Sequence, residues 1–118
     1  MADFRASAQK LQQQITSWRR DLHKIPETGV DTPQTEAYIC AELDKMGVSY
    51  RRGLGKHGIA ALIEGKHKKK VFAIRADIDG LPIKEETGLP FASENGCMHA
   101  CGHDAHAAMI FCSRPETP

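Results

Sequence analysis

Two near-continuous apolar runs, Gly58-Ile59-Ala60-Ala61-Leu62-Ile63 and Val71-Phe72-Ala73-Ile74, constrain the fold most. Strands of a half-solvated sheet alternate apolar and polar residues, whereas unbroken apolar runs suit strands buried on both faces. Such strands need covering layers on either side. The turn between them, Gly65 to Lys69, is short enough for an antiparallel hairpin. Ahead of the runs, Leu11, Ile15, Trp18, Leu22 and Ile25 follow a 4-3-4-3 spacing, which predicts an amphipathic helix over about residues 8–24. Pro26 ends it, because proline disfavours helix at the residue before it. Asp31-Thr32-Pro33 offers an N-cap followed by proline at the first helical position. The second helix runs from there to Met46, with Ile39, Leu43 and Met46 inward and Gly47 as its stop. Val48-Ser49-Tyr50 reads as a short strand. Residues 77–96 are turn-rich and form a long structured loop, and a third helix begins near Asp104. Two helices, short strands, a long loop and a helix predict an α/β architecture. A full sheet of this class needs more strands and helices than these, so the domain reads as incomplete.

Composition narrows the function classes. The chain has 118 residues, 41% apolar and 26% charged, the profile of one small globular domain. A net charge of +1 gives no electrostatic ground for nucleic acid or an anionic membrane as partner. The basic run Lys66-His67-Lys68-Lys69-Lys70 reads as a solvated turn. No run of about 20 apolar residues predicts a membrane span. The opening residues lack the apolar centre of a signal peptide, so a cytoplasmic location is expected. Cys40 and Cys112 lie in apolar helical patterns and read as small buried hydrophobes. Cys101 stands apart, among other metal-ligand types.

That setting is Met98-His99-Ala100-Cys101-Gly102-His103-Asp104-Ala105-His106. Residues two apart lie on opposite sides of a helix but on one side of an extended segment. Cys101 and His103 can therefore share an ion only if the stretch is extended or looped, and Gly102 lets the backbone approach. Thiolate with imidazole favours zinc or another borderline metal. His103 and His106 share a face if the helix starts here. A second constellation is Arg75-Ala76-Asp77-Ile78-Asp79-Gly80-Leu81-Pro82-Ile83, in which an apolar run ends in two aspartates. Ligands of open α/β sheets bind at the carboxyl ends of strands. Asp77 and Asp79 could ligate a metal, hold a ligating histidine, or cap the following loop. Lys84-Glu85-Glu86 reads as solvated loop. The glycines of residues 53–58 lack the lysine and hydroxyl ending of a phosphate loop.

The stretch from Gly96 to His106 closely resembles the G-x-M-H-A-C-G-H-D-x-H signature of the M20 family of metallopeptidases. The matching branch is the amidohydrolases that cleave N-acyl amino acids, hippurate and indole-acetyl amino-acid conjugates. Trp18-Arg19-Arg20-Asp21-Leu22-His23 with Pro26-Glu27, the segment Arg75 to Ile83, and Pro90-Phe91-Ala92-Ser93 agree with the same family, in the same order. The resemblance implies the N-terminal part of an α/β zinc-peptidase-like catalytic domain. It implies a two-metal site, zinc or manganese, with Cys101 and His103 as ligands and Asp79 supporting them. It implies metal-assisted hydrolysis of the amide bond of a small N-acyl amino acid, with a glutamate shuttling the proton.

That glutamate, its neighbouring carboxylate ligand and two later ligand histidines fall beyond Pro118 in the family pattern. Residues 1–112 thus read as part of the catalytic domain, without the lid domain. Residues 113–118 read as an unrelated tail, as in a truncated or frameshifted product. The alternatives are a catalytically inactive fragment and a free-standing zinc module completed by His99 or His106. Uncovered strand edges predict self-association.

Overall fold

The computed structural model describes residues 3–113; the reading of the tail beyond Ser113 falls outside them. The order is α1 (Phe4–His23), α2 (Pro33–Met46), β1 (Ser49–Leu54), β2 (Gly58–Leu62) and α3 (His103–Ile110), closed by a 3-10 turn over Phe111–Ser113. Helix α1 starts earlier than its apolar stripe because the Asp3 carboxylate accepts from the Ala6 amide at 3.0 Å. Helix α2 ends as predicted, with Gly47 left-handed at φ 68°. Its start differs from expectation: neither Asp31 nor Thr32 supplies the side-chain cap. Glu27 does so from the preceding loop, accepting from the Thr35 amide at 2.7 Å and the Gln34 amide at 3.2 Å. A carboxylate at this end also meets the positive pole of the helix.

The α1 stripe packs where predicted. Trp18, Leu43, Ala108 and Phe111 form the buried core, with Ile15, Ile39, Met46, Val48 and Ile59 against it. The Trp18 and Phe111 rings lie 4.9 Å apart, so aromatic contact joins α1 to the 3-10 turn that closes α3. The Trp18 indole N–H is satisfied by Glu42 at 3.0 Å. Cys40 is buried and Cys112 packs against the core; all four cysteines are free.

The strands correct the sequence reading. The hairpin forms one step earlier, between β1 and β2, with Ser49 opposite Leu62 and Tyr50 opposite Ala61. Its turn uses Gly53, Gly55 and also Lys56 at positive φ. Strand β2 is half-buried only at Gly58 and Ile59. Val71 to Ile74 is not a doubly buried strand. No partner strand reaches it among the described residues, and Val71 and Phe72 stand 87% and 88% exposed. No described helix is long and apolar enough to cross a membrane.

The long loop is pinned rather than slack. The Gly80 amide donates to the Glu27 carbonyl at 2.6 Å, and Leu81 and Met98 exchange amide–carbonyl bonds at 2.8 and 2.9 Å. Gly80 sits where three segments meet: a Cβ there would lie 2.9 Å from Pro26 Cβ and 3.1 Å from the Met98 carbonyl oxygen. The Asn95 side chain donates to the Pro26 carbonyl at 2.8 Å. These bonds bring residues 77–81 alongside residues 98–103.

Candidate metal site

The loop delivers Asp79 to the first residue of α3. His103 Nδ1 lies 2.9 Å from the Asp79 carbonyl oxygen and 3.0 Å from its carboxylate. Both partners are acceptors, so Nδ1 carries the hydrogen and the Nε2 lone pair is left free. Carboxylate support of this kind is what a ligating histidine uses to fix its tautomer and orientation. Asp77 Oδ2 lies 4.0 Å from that Nε2, while its other oxygen accepts from Arg75 at 2.7 Å. Cys101 is exposed and follows the signature's extended stretch, with Gly102 left-handed at φ 86° to turn the chain into α3. The donor set of thiol and free imidazole nitrogen fits a borderline divalent metal. Among the described residues, no group of three or more His, Cys, Asp or Glu comes together to hold an ion. The self-contained cage does not form. His106 is exposed, its ring 6.2 Å from that of His103. His99 is turned inside, 4% exposed, with no hydrogen-bond partner on either ring nitrogen. Burial pushes its imidazole below the usual value, against the pull of Asp104 and Asp79.

Beneath these residues lies a network that sequence reasoning missed. His23, the last residue of α1, is 2% exposed. Its Nδ1 lies 2.7 Å from Asp104 and its Nε2 lies 2.9 Å from Glu85. Arg19, one helical turn earlier on the same face, donates to the same Asp104 oxygen at 2.8 Å. Glu85 is therefore no solvated loop residue: its side chain is fully enclosed, and only Lys84 and Glu86 beside it are exposed. Burial alone would raise the Glu85 carboxyl. The Ser93 amide, the Thr87 hydroxyl and His23 outweigh it and hold the group at about 2. The one available signal was the agreement of residues 18–23 with the M20 pattern. Periodicity alone assigns Arg19 to the solvent face.

The comparisons with known proteins bear on this arrangement. The profile described as "Peptidase family M20/M25/M40" matches residues 73–113, the stretch holding Asp77, Asp79, Cys101 and His103. A Bacillus subtilis structure described as a dinuclear metal-binding peptidase of family M20 superposes with a TM-score of 0.80 at 42% identity, covering 86% of this chain. Residues 73–113 match that family's profile, and the described fold resembles this solved member. A second structure, described as "a putative aminohydrolase from methicillin resistant Staphylococcus aureus", superposes with a TM-score of 0.84 at 40% identity over 91% of the chain. An N-acetyldiaminopimelate deacetylase of Enterococcus faecalis is 46% identical over 97 residues, 80% of this chain. An N-acetyl-L-cysteine deacetylase of Bacillus subtilis is 45% identical over 101 residues, 85% of this chain. The chain spans only 26% and 24% of those two relatives, and 29% of each solved structure. The α/β reading and the M20 resemblance both hold.

Proposed function

We propose that this chain carries one half of a two-metal amidohydrolase site acting on small N-acyl amino acids. Cys101 and His103 would hold a metal, and Asp79 would support it from behind. The observation that carries this reading is the Asp79–His103 pair, which commits Nδ1 and leaves Nε2 free on the open side. The relatives' names supply the substrate class, since both are deacetylases of N-acetylated amino acids. When bound, a divalent pair would lower the pKa of a water and polarise the scissile carbonyl. The chain's own residues perform narrower tasks. Asp79 sets the His103 tautomer, and Gly102 turns the backbone between the two ligands. Zinc or manganese suits the thiol–imidazole–carboxylate set. Residues 1–112 belong, on this reading, to the catalytic domain, with the proton-shuttling glutamate supplied by later sequence. A cytoplasmic setting accords with four free cysteines.

A second reading, that the chain alone is catalytically inactive, is favoured by the absence of a three-ligand group among the described residues. The test uses the purified chain with zinc or manganese, assayed on an N-acetyl amino acid and on hippurate beside the double variant Cys101→Ala, His103→Ala. No turnover is expected from either protein, and weak metal binding is expected from the parent only. Turnover above the double variant overturns the inactive reading. Equal metal binding by both proteins overturns the site.

A further inference from the structure

We propose that His23 is the positioning residue of the candidate metal site, tying the loop that carries Asp79 to the helix that carries His103. The inference rests on the reading of Cys101 and His103 as ligands. Three observations carry it. First, His23 is the one side chain of α1 that bonds both segments: Nε2 to Glu85 at 2.9 Å, six residues after Asp79, and Nδ1 to Asp104 at 2.7 Å, directly after His103. Second, every group in the bridge is enclosed; the side chains of His23, Glu85 and Asp104 are 2%, 0% and 0% exposed. Charge-assisted bonds in such surroundings are short and directional, so the bridge fixes distance as well as adding stability. Third, each end is anchored again behind the histidine. Glu85 accepts from the Ser93 amide at 2.9 Å, and Asp104 accepts from the Ala105 amide at 2.9 Å. Movement of either end would therefore carry its whole segment, and with it one member of the Asp79–His103 pair.

Arg19 provides the internal comparison. It bonds Asp104 at 2.8 Å and stacks over Phe91 at 5.4 Å, but it does not touch Glu85. A purely structural role predicts that losing either residue costs stability alone. A positioning role predicts that only His23 alters the geometry at His103.

The experiment has two readouts on the full chain. One is cobalt(II) affinity, followed by the thiolate charge-transfer band in competition with a chromophoric chelator. The other needs no metal: the ring ¹⁵N shifts of His103, which report the Nδ1–H tautomer. His23→Leu removes both ring nitrogens, and His23→Gln leaves an amide able to serve only one carboxylate. Both are expected to lose about tenfold or more in cobalt affinity, the scale of a lost supporting bond behind a ligand. Both are also expected to shift His103 toward a tautomer mixture. Arg19→Gln is expected to keep the parent's affinity and tautomer while melting lower. If His23→Leu does not fold, His23→Gln and Glu85→Gln carry the same comparison. Parent-like cobalt affinity and an unmoved His103 tautomer in these variants overturn the proposal. A parent that binds no cobalt, with the tautomer lost in His23→Gln, removes the metal reading and leaves the positioning role standing.

Discussion

The chain contains two regions whose apolar residues meet opposite fates. Around α1, α2 and α3, the apolar stripe finds partners from both sides: Trp18, Leu43, Ala108 and Phe111 are all enclosed. Along residues 60–74, residues of equal hydrophobicity stand in water, among them Leu62, Val71, Phe72 and Ile74. Hydrophobicity is therefore not what separates them. The difference is whether the same chain supplies the facing layer. A strand suited to burial on both faces needs a neighbour on each edge and a helix on each side, and the described residues provide a single two-stranded hairpin. The candidate site lies at the seam, with His103 and Asp104 on the packed side and Asp77 at the end of the uncovered run.

The comparison breaks most visibly if the packed region does not carry the stability. Trp18→Ala removes the ring that faces Phe111 at 4.9 Å and the indole N–H that one Glu42 carboxylate oxygen accepts, leaving Glu42 with Lys45 alone. Truncating a buried tryptophan costs about 3–5 kcal/mol, from lost transfer energy and the cavity left behind. Urea denaturation is expected to show a midpoint reduced accordingly, or a chain already unfolded in buffer. A loss below about 1 kcal/mol would mean that the α1–α3 contact is not the core.

The packed region was also the legible one. Periodicity located α1 and α2 to within a few residues because their apolar spacing answers to local geometry, and Gly47 marked its helix end by conformational need. The hairpin partners were not legible because periodicity identifies strands without naming their partners; the observed turn joins β1 to β2 through Gly53, Gly55 and Lys56 at positive φ. Glu27 as the cap of α2 was hidden for a similar reason, since its bonds reach seven and eight residues ahead. Glu85 is the sharpest case. Its burial depends on His23, 62 positions away, and no local window contains both. In the candidate site, residue types and spacing single out Cys101 and His103. The contact between His103 and Asp79, 24 positions apart, needed the fold.

Acid should separate the regions by a smaller margin. Glu85 is held at about 2 in the fold against an ordinary 4.5. Between those values the unfolded chain binds more protons at this position than the folded one. Its contribution is therefore complete above the ordinary value and is lost as pH falls toward about 2. Urea midpoints for the parent are expected to drop across that window, and Glu85→Gln is expected to flatten the drop. Glu86→Gln, at the exposed neighbour, serves as the control and should leave the acid limb unchanged. An acid limb equally steep in Glu85→Gln would place the acid-sensitive group elsewhere.

The smallest effect on stability is expected in the uncovered region, where it is the more telling result. Phe72 is 88% exposed, so replacing it removes almost no buried contact. Phe72→Ser should shift the urea midpoint by less than about 0.5 kcal/mol, the range of ordinary surface changes. The same substitution should act strongly on association. Val71, Phe72 and Ile74 present apolar side chains along an extended segment with no partner strand among the described residues, the arrangement that recruits another chain. Sedimentation across a concentration series is expected to show self-association in the parent and its reduction in Phe72→Ser. Loss of stability without loss of association would reverse the assignment: residues 71–74 would then pack in solution, and the boundary between the two regions would lie elsewhere in the chain.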